Sequence, residues 1–158
     1  MGLFDFLKKI EIQQEFPNDA KYAKYIYTKE YSKLEDKYYS EMNQIEAQWK
    51  VLSKEKDFHG DNARKFERLC KRNIKTYKSI TEYCDKYDTP YFDTVPVYKR
   101  LSMLYEKQKR YNDAANICLE AIRLGAVNEY GDGHTGKMQA RFERLAKKAN
   151  ILNSVDNT

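Results

Sequence analysis

The residues best suited to chemistry are a glycine-rich loop, two histidines, three cysteines and two rows of basic side chains. Gly131-Asp132-Gly133-His134-Thr135-Gly136-Lys137 satisfies the spacing G-x-x-x-x-G-K, in which backbone N–H groups cradle phosphates and a lysine reaches them. That chemistry also needs a hydroxyl for Mg²⁺ at the next position, where Met138 stands, and a β-strand leading into the loop. The residues before this loop read as a helix and no strand pattern is evident elsewhere, so no NTPase is expected. The offer that remains is the general attraction of a helix N-terminus for an anion. His59 and His134 fall in loops with no cysteine or carboxylate set at ligand spacing around them, so no metal is expected. Cys70, Cys84 and Cys118 stand alone on or near apolar helix faces. They match neither a disulfide framework nor a C-x-x-C knuckle, and nothing local pairs one with a histidine. Buried free thiols in a reducing, cytoplasmic setting are expected. The chain reads as a non-enzyme with no cofactor.

The basic rows are a binding feature rather than a catalytic one. Arg64, Arg68, Lys71, Lys75 and Lys78 follow spacings of 4, 3, 4 and 3, one stripe along a helix beside its apolar face. Lys137, Arg141, Arg144 and Lys148 do the same near the C-terminus. Brought together, the stripes would make a positive surface for an acidic peptide or a nucleic acid. Apart, they are ordinary solvated helix faces. Glu67, Glu82 and Glu143 interrupt them, and no RNP or zinc-finger motif accompanies them.

The elements that must position these residues are helical. Residues 1–17 open with an amphipathic piece, Leu3, Phe4, Phe6, Leu7 and Ile10 beside Lys8 and Lys9. It reads either as a membrane-surface anchor or as a terminal helix docked on the domain. Phe6 stands where a myristoylation signal has Ser or Thr. Pro17-Asn18-Asp19 starts a helix that runs without Gly or Pro to about Lys56. Tyr27, Tyr31, Leu34, Tyr38, Met42, Ile45, Trp49 and Leu52 form its heptad-like stripe. Six tyrosines lie between Tyr22 and Tyr39, more than one stripe holds, which makes Tyr22, Tyr25 and Tyr39 candidates for exposed aromatics. Gly60 is expected to stop this helix, with Asp61 or Asn62 capping the next. That helix, 62–87, carries the face Ala63, Phe66, Cys70, Ile74, Tyr77, Ile80, Cys84 and Tyr87 and should pair antiparallel with the first. Asp88-Thr89-Pro90 ends it.

From Tyr98 to Ala126 the chain reads as two short helices and a turn. Tyr98, Leu101, Leu104 and Tyr105 line one face of the first. Asn112 or Asp113 is expected to cap the second, whose side of Ala114, Ala115, Cys118, Ala121 and Ile122 is rich in alanine. Gly125 signals its end. A last helix, Lys137 to about Leu152, shows Met138, Phe142, Leu145, Ala149 and Leu152 at helical spacing. Phe66-Glu67-Arg68-Leu69 recurs as Phe142-Glu143-Arg144-Leu145, each after a Gly-Asp loop, an echo of a repeat relationship or of common helix composition.

The central hairpin resembles a tetratricopeptide repeat, the helix-turn-helix unit with the order W-L-G-Y-A-F-A-P. Tyr98 stands at the Trp position, Leu101 at Leu, Ser102 at the small residue and Tyr105 at Tyr. Ala114 stands at the turn Ala, Cys118 at Phe, Ala121 at Ala and Ala126 at Pro. Ser, Cys and Ala depart from the consensus, so this is one degenerate repeat over about 95–126. Some members of the family clamp a chaperone's C-terminal carboxylate with Lys and Asn. Lys99 matches that lysine by position, but Met103 replaces the asparagine.

The chain is 158 residues long with net charge +5, which bounds it to one domain without the charge excess of a disordered segment. Leu, Ile, Val and Phe number only 32, and 14 tyrosines make up the shortfall. No apolar run reaches membrane-spanning length and no secretory signal is recognised. The expected architecture is all-α: a long antiparallel hairpin over 19–87, then the tetratricopeptide-like hairpin and a capping helix over 95–152, an α-solenoid-like array. The resemblance implies a protein-interaction adaptor that docks a partner segment in a groove. Tyr98, Lys99, Met103 and Lys107 would line it, with Arg64, Arg68, Lys71, Lys75, Lys78, Arg141 and Arg144 at its edges. The alternative is a small nucleic-acid-binding accessory protein using the basic stripes. Self-association to complete a short array fits the single repeat.

Overall fold

The computed structural model describes residues 29–127 and 136–156, and all five of its elements there are α-helices. They are α1 (Lys29–Glu55), α2 (Asp61–Lys86), α3 (Pro96–Lys107), α4 (Tyr111–Leu124) and α5 (Gly136–Asp156). The amphipathic opening segment, Tyr22, Tyr25, Tyr27, His134 and most of the glycine-rich loop lie outside the described residues. α5 runs on to Asp156 rather than ending near Leu152. The chain groups into two compact units, one of residues 29–41 and 75–91, the other of 42–74, 92–127 and 136–156.

In the first unit tyrosines supply the packing that leucines usually supply. Tyr31 meets Tyr83 with ring centroids 5.4 Å apart, and Tyr38 meets Tyr77 at 6.2 Å. A step of seven residues forward on α1 is matched by six backward on α2, the signature of antiparallel helices. Tilted ring pairs of this kind contribute about 0.5–1.5 kcal/mol each beyond their buried area. Tyr39 stands off this seam and is 43% exposed.

The second unit is built around Trp49. Its ring lies 5.5 Å from Phe66 of α2 and 6.1 Å from Phe58 in the intervening turn. Ile45, Leu52, Ala63, Cys70, Leu101 and Leu104 are all fully buried in this unit. α4 packs against both α3 and α5. Its buried face is Ala114, Ala115, Cys118 and Ala121, small enough to let helices approach closely. Ser102 of α3, also fully buried, turns its hydroxyl back to the Lys99 carbonyl at 2.8 Å.

Two helix starts differ from the sequence reading, while α1 ends where it is expected to. It runs to Glu55 and is closed by Lys56 in the left-handed conformation (φ 55°), a role expected of Gly60. Gly60 instead donates its N–H to Asp57 Oδ1 at 3.0 Å and accepts the first α2 bond from Arg64 at 3.2 Å. A Cβ on Gly60 would sit 2.2 Å from the Asp57 carboxylate, so this position takes no side chain without moving Asp57. α4 begins at Tyr111 with Arg110 at the cap position, and neither Asn112 nor Asp113 caps it. The Asp113 carboxylate is held by Arg110 Nε at 2.8 Å, which removes it from the backbone. It still lies in the first turn, where the helix dipole favours an acid.

Pro96 opens α3 and Gly125 closes α4 (φ 70°), as the sequence indicates. The α4 end is a Schellman motif, with Ala126 bonding Ala121 and Gly125 bonding Ile122. The same pair of bonds closes α2 around Asp88 (φ 51°) and α3 around Lys109 (φ 58°), where no glycine relieves the Cβ. A non-glycine residue in this region costs about 1 kcal/mol or more. Lys109→Gly is therefore expected to stabilise the chain by about 1 kcal/mol, raising Tm by about 2–4 °C. Differential scanning calorimetry checks it, and an unchanged or lower Tm refutes the strain at Lys109.

Candidate partner-binding face

Helix α3 is the element that shapes the candidate site. Val97, Tyr98, Leu101, Ser102, Leu104 and Tyr105 are buried. At about 100° per residue, Glu106, Lys99, Pro96, Met103, Lys107 and Arg100 fall in a single arc of about 120°. That arc is all of α3 that reaches solvent. Three predicted groove residues, Lys99, Met103 and Lys107, lie on it. Tyr98 does not: it is fully buried and packs as a core residue, because its helical position points away from this arc.

Both edges of the arc are pinned by ion pairs. On one edge Arg100 donates through Nε and Nη2 to the two Glu46 carboxylate oxygens of α1, at 2.9 and 2.8 Å. Its guanidinium also lies 5.6 Å from the Trp49 ring centroid. On the other edge Glu106 accepts Arg144 Nη1 and Nη2 of α5, both at 2.8 Å, with Lys148 at 3.6 Å. Bidentate guanidinium–carboxylate pairs fix orientation as well as distance. The middle of the arc holds Lys99, Met103, Pro96 and Lys107, with Arg100 Nη1 4.0 Å from the Met103 sulfur. Lys107 Nζ stands 5.7 Å from the Phe58 ring centroid.

The charges on this face are uneven. Hydrogen bonding to Arg100 holds the Glu46 carboxyl below its usual range, helped by the charges of Arg100, Lys50 and Lys99. Arg144 does the same for Glu106, with Lys148 adding to it. Both acids are thus matched within the protein, and Lys99 and Lys107 share the α3 arc with Met103.

A third carboxylate fastens α3 from beneath. Glu67 of α2 accepts the Tyr105 hydroxyl at 2.8 Å, and Lys71 and Arg110 lie 3.0 and 3.3 Å from it. Burial raises the Glu67 pKa, but these hydrogen bonds outweigh burial and leave it below the usual carboxylate range. Burial, reinforced by its bond to Glu67, pushes the Tyr105 phenol up.

The predicted basic stripes separate into different roles. Arg64, Arg68 and Lys71 are exposed on the second-unit stretch of α2. Lys75 is exposed and Lys78 half-buried on the stretch belonging to the first unit. Arg64 pairs with Asp61 and donates to the His59 carbonyl. Arg141 is half-buried, and Arg144 is exposed with its guanidinium engaged by Glu106. Glu46, Arg100, Glu106 and Lys148 were not foreseeable as a group, since Arg100 and Glu46 are 54 positions apart and share no motif.

A separate cleft of about 540 Å³ lies in the first unit, lined by Lys33, Leu34 and Lys37 of α1 and Ser79, Glu82 and Tyr83 of α2. None of the predicted binding residues lines it. Among the described residues no group of three or more His, Cys, Asp or Glu could hold a metal ion. No described helix is long and apolar enough to cross a membrane. No family model, curated protein or solved structure matches the chain.

Cys70, Cys84 and Cys118 are buried free thiols. Burial pushes Cys84 and Cys118 up to about 11 and raises Cys70 as well. At about pH 8, Ellman's reagent is expected to titrate all three only after unfolding, because the reactive thiolate is disfavoured and covered. A thiol that reacts within seconds in the native protein contradicts this burial.

The two pinning pairs also set a pH dependence. Glu46 and Glu106 have lowered pKa values when folded, so their contribution is fully present above the unfolded carboxylate value of 4.5. It is lost as pH falls through the folded values. Both pairs are part-exposed, so solvent screening holds each to about 1 kcal/mol or less. The double variant Glu46→Gln plus Glu106→Gln should lower the urea midpoint near neutral pH and flatten its decline in acid. An acid limb identical to the parent's would show that these pairs do not contribute.

Proposed function

We propose that this chain is a non-enzymatic interaction module, an adaptor that docks a segment of a partner protein along the exposed arc of α3. The observation that carries this reading is the arc itself. It is a narrow strip centred on Met103, bracketed by ion pairs to α1 and α5 and bordered by lysines. Methionine's flexible, polarisable side chain suits a surface that must fit a partner's apolar residue. Surrounding lysines would favour a segment carrying acidic residues next to that anchor. Lys99, Met103 and Lys107 make the contacts in this reading, and Tyr98 supports them from within.

The tetratricopeptide-like assignment belongs to the same proposal. The succession of α3, α4 and α5, with α4 packed against both neighbours and small residues at the α4 face, supports it. α5 then acts as the capping helix of a short solenoid-like array. A reducing, cytoplasmic setting is part of the reading, supported by three buried thiols without a disulfide. A second copy of the chain is an alternative occupant of the strip.

The test is peptide display selected on the full chain. Chosen peptides are then measured by calorimetry against Met103→Glu and Lys99→Glu plus Lys107→Glu. The expected outcome is at least a tenfold rise in Kd for each variant with unchanged circular dichroism, about 1.4 kcal/mol. Selected peptides whose affinity ignores both variants would sink the assignment to this face. Concentration-dependent self-association abolished by Met103→Glu would give the strip to a second copy.

A further inference from the structure

The α3 strip does not end at Lys107. Phe58, in the turn of residues 56–60 between α1 and α2, lies against its far end, with Lys107 Nζ 5.7 Å from the centre of the ring. Phe58 is half-buried, so part of it meets solvent beside that lysine. The ring packs on Trp49, centroids 6.1 Å apart. Trp49 carries the Arg100 guanidinium 5.6 Å from its own centroid, and Arg100 Nη1 lies 4.0 Å from the Met103 sulfur. A continuous run of contacts thus leads from Met103 through Arg100, Trp49 and Phe58 to Lys107. Lys107 itself stands one helical turn, about 6 Å, beyond Met103. Trp49 is buried within this run, which leaves Met103 and Phe58 as its half-buried apolar groups.

Surface turns are ordinarily loosely placed. This one is fixed at three successive residues. Gly60 N–H donates to Asp57 Oδ1 at 3.0 Å, Gln108 Nε2 to the Phe58 carbonyl at 2.7 Å and Arg64 Nη1 to the His59 carbonyl at 3.2 Å. Gln108, the C-cap residue of α3, is held in turn, because its Oε1 accepts Arg110 Nη1 at 3.0 Å. Arg110 reaches Glu67 at 3.3 Å and stacks 4.1 Å from the Tyr105 ring centroid. The series Glu67, Arg110, Gln108 therefore ties the Phe58 backbone to the end of the helix that carries Met103. Groups held in place before binding lose less freedom on binding.

Lys107 supplies the charge between the two apolar groups. It is exposed, and among the described residues no carboxylate pairs with it. Two apolar surfaces with a cation between them are complemented neither by a purely acidic segment nor by a purely apolar one. Aromatic side chains at the edge of a preformed site are frequent anchors of binding energy.

We propose that Phe58 is a second anchor of this site, and that the partner segment carries an acidic residue with an apolar side chain on each side of it. One apolar side chain rests on Met103, the carboxylate meets Lys107, and the other apolar side chain covers the open part of the Phe58 ring. This rests on the reading of the α3 strip as the docking face.

The probes are the peptides selected by display on the full chain. Their sequences are expected to converge on an acid between two apolar residues. Phe58→Ala should raise their Kd about tenfold or more. Truncating to Ala the peptide residue that covers Phe58 should cancel that difference, so that the shortened peptide binds parent and variant alike. The same truncation also weakens binding to the parent chain, a readout that needs no variant to fold. Gln108→Ala, which keeps the ring and removes its tether, should raise Kd less than Phe58→Ala does. Circular dichroism verifies the fold of each variant. Selected peptides with an apolar residue on one side of the acid only overturn the proposal. So does a tenfold loss in Phe58→Ala that no peptide truncation cancels, since Phe58 then acts only through packing. Affinity that Met103→Glu weakens and Phe58→Ala leaves alone overturns the second anchor and leaves the strip standing. Affinity that ignores both variants removes the strip as well.

Discussion

Three carboxylates hold helix α3, and the candidate site depends on them. Glu46 draws Arg100 toward α1, Glu106 draws Arg144 and Lys148 of α5, and Glu67 takes the Tyr105 hydroxyl from α2. α3 is only 12 residues long, too short to be stable by itself in water. Its shape and orientation come from its neighbours. Apolar packing covers most of its circumference, but it is non-directional and leaves the rotation of the helix loosely set. The bidentate pairs at both edges of the remaining arc supply the missing direction.

This arrangement explains why a chain so rich in bases presents few guanidinium groups on the α3 side. Arg100, Arg110 and Arg144 are each engaged by a carboxylate from another part of the chain or the same turn. The character of the strip comes from lysines and one methionine instead.

The tyrosine content has a similarly physical explanation. With few leucines and isoleucines, the first unit fills its helix seam with Tyr31, Tyr38, Tyr77 and Tyr83. Each is a large apolar ring with one polar end, so its hydroxyl must be accommodated as the ring is buried. Tyr39 lies beside the seam, and its ring stays partly in water.

The helices and most of their buried faces were legible in the sequence, although Leu34, Met42, Tyr87, Ile122 and Phe142 of the expected faces are only half-buried. Ile45, Trp49 and Leu52, then Phe66, Cys70, Tyr77 and Ile80, then Leu101, Leu104, Cys118 and Ala121, are all where the periodicity places them. The reason is that burial follows the 3.6-residue repeat, a property of the local chain. Glycine and proline punctuation was legible in large part: Pro96 and Gly125 act as expected and α2 is closed at Asp88, before Thr89-Pro90, as the sequence indicates, whereas Lys56 and Lys109 turn left-handed with no residue-type signal. Tyr98 was assigned to a groove and sits in the core, because which side of a helix faces a partner depends on the neighbours that cover the rest. The pairing of Glu46 with Arg100 and of Glu106 with Arg144 was decided by tertiary structure alone. Ion pairs have no sequence period. They form between whichever opposite charges the packed helices bring within reach, so the composition of the strip on α3 could be known only once those helices were in place.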